Sequence, residues 1–511
     1  MPVSRKRSII RSIYTACVAT ACIAAVAGCS VHGPSGGGGQ ALWDGQRHVS
    51  VADVWLPPGY KIEPVVIGLN FPTGVTFDDA GKVYVTESGY SYGEIWSEPR
   101  LVRVDAKDAV VVIARGSNGP WNGATFHDGN FYVAEGGEAR GGSILKIDRD
   151  GNTTALVQDL PSTGDHHTNG PVIGPDGYLY FGQGTATNSG IVGVDNYQYG
   201  WLQRYPQFHD IPAKDVTLAG VNYESRDPFS AAPKLARYQR WFPIFAPSPR
   251  LVLTGAYSSF GTPTKPGQVV PGQIPFTGGI MRIPLAGGQP EMVAWGMRNP
   301  FGLAFAPDGK LFATDNEYDV RGSRPVWGTG DVLWEVTPGK WYGWPDYFAG
   351  QPINNADRFG APDAPVPRRL LASTPNKPPL PAAKFAVHAS ADGLDFSRDD
   401  GFGFVGDAFV AEFGDMAPTT GTVQDPVGFR VVRVERAGGI VHAFAFNRGR
   451  ANAPASKTNG GGLERPVAAR FDPSGNALYI VDFGVMLTDA RGVHPAENTG
   501  VLWKITREDT K

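Results

Sequence analysis

A short pattern recurs six times along this 511-residue chain, and it constrains the fold more than any other feature. Each copy opens with a small residue and reaches an apolar residue three positions later. It then turns at a Gly-containing corner and continues as an apolar, aromatic-rich run. Gly74-Val75-Thr76-Phe77 leads through Ala80-Gly81 to Val83-Tyr84-Val85 in the first copy. The others open at Gly123, Gly170, Gly302, Gly393 and Ala468, and their apolar runs hold Tyr132, Tyr180, Phe312, Phe409 and Tyr479. Asp-Gly between two such runs, as at Asp128-Gly129, Asp176-Gly177 and Asp308-Gly309, is a hairpin signal. A third segment follows in each copy with apolar and polar residues alternating, as in Leu101-Val102-Arg103-Val104 and Ile280-Met281-Arg282-Ile283, which reads as a half-buried strand. Six copies predict an all-β fold, a six-bladed propeller of four-stranded antiparallel blades whose closure protects the sheet edges. A β-sandwich would leave the six copies unexplained. Sixty-seven glycines and 43 prolines suit many tight turns.

Two long stretches interrupt the repeat, at about 185–277 and 341–388. The first carries Trp201, His209, Asp210, Trp241 and Phe242, and is expected either to cap a site or to pack on the surface. A net charge of -3 without long charge runs gives no reason to expect a nucleic-acid partner.

The N-terminus reads as an export signal. Arg5, Lys6, Arg7 and Arg11 precede a short apolar stretch over 13–27, too short to span a membrane comfortably. It ends in Val26-Ala27-Gly28-Cys29, which resembles a bacterial lipobox and implies cleavage before Cys29 and acylation of its thiol. All three cysteines lie in this segment, so the propeller can form no internal disulfide. The expected organisation is a signal peptide over 1–28, a lipidated cysteine and Gly-rich tether over 29–50, and the propeller over 51–511, held at the bacterial cell envelope by its lipid alone.

Antiparallel pairing puts the start of each first strand beside the end of the second, so polar residues at those places share one face. The second strands end at Glu87, Glu135, Gln183, Asp315, Glu412 and Asp482, a predicted ring of mostly acidic residues suited to a hard cation or to capping turn amides. Asp315-Asn316-Glu317-Tyr318-Asp319 is the densest acceptor cluster. Before the first strands stand Asp165-His166-His167, Arg298-Asn299 and Glu464-Arg465. A His can act as a base near neutral pH and an Arg can hold a developing oxyanion.

At these residues the chain resembles the soluble-type glucose and sorbosone dehydrogenases, six-bladed propellers that use pyrroloquinoline quinone (PQQ) with calcium. The resemblance runs from about Leu56 to Ile505. It rests on Leu56-Pro57-Pro58-Gly59-Tyr60, Gly68-Leu69-Asn70-Phe71-Pro72, Arg298-Asn299-Pro300-Phe301-Gly302-Leu303-Ala304-Phe305 and Tyr342-Gly343-Trp344-Pro345. It implies that His166 takes a proton from the substrate hydroxyl while a hydride passes to PQQ. It implies that Arg298 stabilises charge on the quinone oxygen, Asn299 positions the cofactor, and Arg465 binds one of its carboxylates. Ca2+ would lie against the quinone, with Asp315, Glu317 and Asp331 as candidate ligands.

The family's second arginine and a lysine are replaced by Leu463 and Gly414, its Gly-Asp reads Gly184-Thr185, and a glutamine reads Phe301. Arg321 and Arg324 are the candidate substitutes for the lost cations. These departures point away from glucose toward a related aldose or another hydroxyl or aldehyde substrate, with an electron acceptor the sequence does not name. Two rival readings stay open: a calcium-dependent lactonase-like hydrolase and a non-catalytic binding propeller.

Overall fold

The computed structural model describes residues 43–89, 96–106, 109–230, 250–421, 423–449 and 452–508. The signal segment, Cys29, Trp241 and Phe242 lie outside them.

Six antiparallel sheets follow one another around an axis. Blade 1 comprises Pro72–Phe77, Val83–Glu87, Arg100–Ala106 and Ala109–Arg115. Blade 2 comprises Trp121–His127, Asn130–Glu135, Gly142–Asp148 and Thr153–Leu160. Blade 3 comprises Thr168–Ile173, Tyr178–Gln183, Gly279–Pro284 and Glu291–Trp295. Blade 4 comprises Pro300–Phe305, Leu311–Asp315, Gly330–Glu335 and Ala383–Val387. Blade 5 comprises Ala391–Phe396, Ala408–Glu412, Arg430–Glu435 and Ile440–Asn447. Blade 6 comprises Pro466–Phe471, Ala477–Asp482 and Gly500–Arg507, and takes its outer strand, Tyr60–Leu69, from the N-terminal side. That strand pairs Ile62 with Ile505 and closes the ring. Just before it, Val54–Trp55 pairs with the outer strand of blade 5, so the same segment latches two blades.

The small residue that opens each repeat is explained by crowding at the axis. A Cβ on Gly74 would come within 2.6 Å of the Gly123 backbone, and one on Gly302 within 2.4 Å of the Asp392 carbonyl. Each first strand also shifts register against its neighbour close to this point, as between Pro72 and Gly74 and between Pro300 and Leu303. Such bulges re-aim the residues that precede them. Apolar layers fill the spaces between blades. Phe402, Phe409, Phe444 and Phe471 pack edge-on beside blades 5 and 6, with centroids 4.8–5.5 Å apart.

Between the second and third strands of blade 3 the chain forms two short helices, Val194–Gln198 and Trp201–Arg204, and two small two-stranded sheets. Asp210 secures this region, accepting from the Ala186 N–H and from the hydroxyls of Thr187 and Thr277. A hairpin of Met486–Asp489 and Gly492–Pro495 projects from blade 6.

Candidate functional site at the propeller axis

Two adjoining cavities lie where the first strands begin. Their walls draw on all six blades, through Thr73, Asn122, Asn169, Asn299, Asp392 and Val467, which places them on the axis.

Side-chain amides form the floor. Asn122 donates to Asn169 (3.1 Å), Asn169 to Asn299 (2.9 Å), Asn299 to Asn316 (2.9 Å) and Asn316 to Asp392 (3.3 Å). This chain crosses blades 2 to 5 and fixes Asn299 on both sides. Asn169, Asn299 and Asn316 lie in polar stretches that the sequence singles out before first strands or after a second strand; Asn122 carries no local motif.

His166 lines both cavities. Its Nδ1 lies 2.9 Å from the Thr185 carbonyl oxygen, which can only accept, so Nδ1 carries the proton and Nε2 is left with a lone pair. Burial, followed by the nearby charges of Arg298 and Arg321, holds this imidazole well below its ordinary pKa of 6.5 and hence neutral. Thr185 therefore sits behind the histidine and orients it. His167 is pushed by burial to about 4, and its ring lies beside Trp201.

Arg298 is also in the cavity wall. It donates to the Asn188 carbonyl, the Asn316 carbonyl, the Asn188 side chain and Asp319, the last at 2.6 Å. One of its five guanidinium hydrogens remains beyond these four. Arg321 meets Asp165 and Asp195, each at 2.7 Å, and Asp319 at 3.1 Å. Burial works against ionisation of Asp319, but Arg298 and Arg321 hold it below the usual carboxylate range.

Two of the proposed cofactor arginines are elsewhere. Arg324 is wholly buried, donating to the carbonyls of Ser189, Pro345 and Arg368 and pairing with Asp346 at 3.0 Å. Arg465 is 1% exposed. It donates to the carbonyls of Gly414, Asp415 and Met486 and lies against the rings of Phe413 and Phe429. Neither lines the cavities. In this structure both hold loops together. Gly414 does line the cavity, but its φ is +94° and a Cβ there would meet the Phe429 ring at 2.5 Å, so a lysine would require that ring to move. Leu463 is fully buried in the core beside blades 5 and 6.

The acidic ring is likewise turned inward to its own blades. Glu87 and Glu412 pair with Arg100 and Arg430 on the third strands. Asp482 meets Arg47 and the Trp503 indole. Among the described residues, no group of three or more His, Cys, Asp or Glu is placed to hold a metal ion. The set Asp315, Glu317 and Asp331 therefore does not form a three-carboxylate cage. Asp315 is spent on the Arg298 and Asn299 N–H groups and the Trp334 indole, and Asp331 on the Glu317 and Ala391 N–H groups. Glu317, in the cavity wall, keeps its carboxylate uncommitted. Burial, then Asp315, raises Glu317 well above the usual range, and burial raises Asp331 to about 7.

Sequence reasoning missed His388, which lines the cavity in the turn between blades 4 and 5, and Met486 and Val493, supplied by the blade 6 hairpin. Tyr199 and Trp201, from the region between strands of blade 3, cover one side.

No known protein family matches the chain, and no curated protein sequence matches it. Solved structures do. The calcium structure of the Trichoderma reesei family AA12 carbohydrate-active enzyme aligns at a TM-score of 0.50 and 15% identity, over 90% of this chain and 98% of that one. The holo form of the PQQ domain of pyranose dehydrogenase from Coprinopsis cinerea aligns at 0.50 and 15%, over 89% and 97%. The PQQ-bound aldose sugar dehydrogenase of Streptomyces coelicolor aligns at 0.48 and 16%, over 88% and 99%. At such identities the likeness is one of fold: this chain shares a six-bladed propeller with sugar-oxidising proteins.

Proposed function

We propose that this chain is an exported quinoprotein dehydrogenase that oxidises a sugar, or a related hydroxyl or aldehyde substrate, at the axial cavity. The observation that carries the reading is His166: a neutral imidazole, tied at Nδ1 to the Thr185 carbonyl, with Nε2 unprotonated in the cavity beside Arg298. The PQQ-holding pyranose dehydrogenase domain and the calcium-holding AA12 enzyme, both alike in fold, support it.

The cavity residues fit the reacting end of such a cofactor. When bound, PQQ with Ca2+ supplies a two-electron acceptor. His166 Nε2 takes the proton of the substrate hydroxyl, and the Thr185 carbonyl stabilises the resulting imidazolium through Nδ1–H. Arg298 offers its remaining hydrogen to developing negative charge. The amide chain through Asn299 holds the floor rigid, and Tyr199 and Trp201 limit access of water. Arg321 and the Thr420 hydroxyl would meet the cofactor's carboxylates, and Glu317 is the carboxylate available to a cation. The lipobox at Cys29 supports tethering at the membrane surface; labelling with radioactive palmitate, lost in Cys29→Ala, tests it.

Commitment of Arg324 and Arg465 to backbone carbonyls favours a second reading, a propeller without quinone that acts as a calcium-dependent lactonase or only binds. The Cys29→Ala protein, given PQQ and Ca2+ and assayed for dye reduction with aldoses and aldehydes, separates them. Dye reduction that needs PQQ supports the dehydrogenase. Lactone hydrolysis with Ca2+ alone, or absence of PQQ binding, removes it.

A further inference from the structure

The polar residue ending each second strand has a partner within the chain in five blades, although Glu412 Oε1 of blade 5 is left unpaired. Glu87 has Arg100 and the Asn70 N–H, and Glu412 has Arg430. Asp482 has Arg47 and Trp503, Asp315 has Trp334 and two backbone N–H groups, and Gln183 has Ser162 and Thr168. Glu135 of blade 2 departs from this. It is 4% exposed, yet its carboxylate has neither hydrogen bond nor ion pair. The register shows why. The residue opposite Glu87 is Arg100 and that opposite Glu412 is Arg430, whereas Glu135 faces Ser143. A buried carboxylate without a cation is costly, so a chain that keeps one leaves room for a partner from outside.

That room exists. Glu135 lines a groove between blades 1 and 2 with about 1290 Å³ of open space, which shares no residue with the axial cavities. Trp121 lies in the same wall, 0% exposed, with its indole N–H unpaired. Gly116 in the groove wall leaves space for this ring; a Cβ there would come within 2.5 Å of it. Arg115 does not serve Glu135, because it pairs with Glu98. With Glu98 and Asp159 the groove holds three acids against Arg115 and Arg140, and Arg140 is turned to the Ser117 hydroxyl.

The geometry points to a docking site for an arginine side chain on a peptide segment of another molecule. Its guanidinium takes the place at Glu135 that Arg100 and Arg430 take in their own blades. Arginine fits better than lysine because a guanidinium, donating through Nε, is what meets the corresponding carboxylate in blades 1 and 5.

The test uses the whole chain and three probes: the acetylated amides of arginine, lysine and citrulline, the last being the neutral isostere. Binding is followed by thermal shift and by tryptophan emission, with Trp121→Phe identifying the reporting ring. The arginine probe is expected to bind at least about tenfold more tightly than the citrulline probe. Glu135→Gln should remove that preference while folding stays intact. Ser143→Arg, which supplies the missing guanidinium from within the blade, should block the probe and raise Tm. Equal binding of arginine and citrulline, no arginine binding at millimolar concentration, or a preference that survives Glu135→Gln would overturn the assignment. None of these outcomes depends on whether the axial cavity holds a quinone.

Discussion

Arg321 and Arg324 stand three residues apart in one loop, yet they belong to different parts of the molecule. Arg321 reaches the axial cavity and shares its charge among Asp165, Asp195 and Asp319. Arg324 turns away and gathers the carbonyls of Ser189, Pro345 and Arg368 with Asp346. Arg298 and Arg465 repeat the contrast, the first in the cavity wall and the second on the carbonyls of Gly414, Asp415 and Met486. Long irregular segments leave buried carbonyls without strand partners, and a buried guanidinium with five donors meets several at once. Cation count near a site is therefore a poor guide to ligand charge. What counts is which arginines keep a donor for the cavity.

The division can be broken by substitution. Arg324→Ala should cost about 3–5 kcal/mol of stability, since it leaves Asp346 buried without its cation; urea unfolding would show it, and an unchanged midpoint would place Arg324 outside the frame. Arg298→Lys should instead lower kcat by about 10²–10³-fold, with a smaller stability loss than Arg324→Ala, because it removes directed donors at the developing charge; steady-state kinetics on the PQQ-loaded protein reads this.

The pH dependence follows from His166. The base works unprotonated, and its pKa in the fold lies well below 6.5 through burial and then the two cavity arginines. So kcat/KM should hold as pH falls through 6.5 and drop only at more acid pH, by about tenfold per unit. A drop centred at 6.5 or above would mean a solvated imidazole. The same shift makes the folded state lose stability as pH falls below 6.5, where the unfolded chain takes the proton first. The smallest effect expected is that of Thr185→Val. It removes a hydroxyl lying 3.1 Å from His166 Nδ1 and 2.7 Å from the Thr187 carbonyl, but keeps the backbone carbonyl that fixes the tautomer. About 1 kcal/mol of stability and less than about tenfold in kcat/KM should be lost.

The contrast also marks where the sequence stops being legible. The six openings from Gly74 to Ala468 state a local demand, close approach at the axis, and so the blades could be read directly. Closure by Tyr60–Leu69 pairs Ile62 with Ile505, and no local pattern announces a partner so distant. The second-strand ends were read in the correct register, but register does not say which way a side chain turns. Glu87 and Glu412 turn to the third strand of their own blade, and the axis is floored instead by Asn122, Asn169, Asn299 and Asn316. His166, Arg298 and Asn299 line the cavity from positions within two residues before first strands, close to the register shifts. His388 sits in a turn with φ of +65° and nothing around it repeats.

The central claim is that the axial cavity is a dehydrogenase site with His166 as its base. Its most direct test is PQQ- and Ca2+-dependent dye reduction by the wild type and by His166→Ala, with PQQ binding measured in both. The account predicts that both bind PQQ while turnover with the best sugar falls by about 10²–10⁴-fold in the variant. Turnover retained by His166→Ala, or PQQ that binds neither protein, would contradict it.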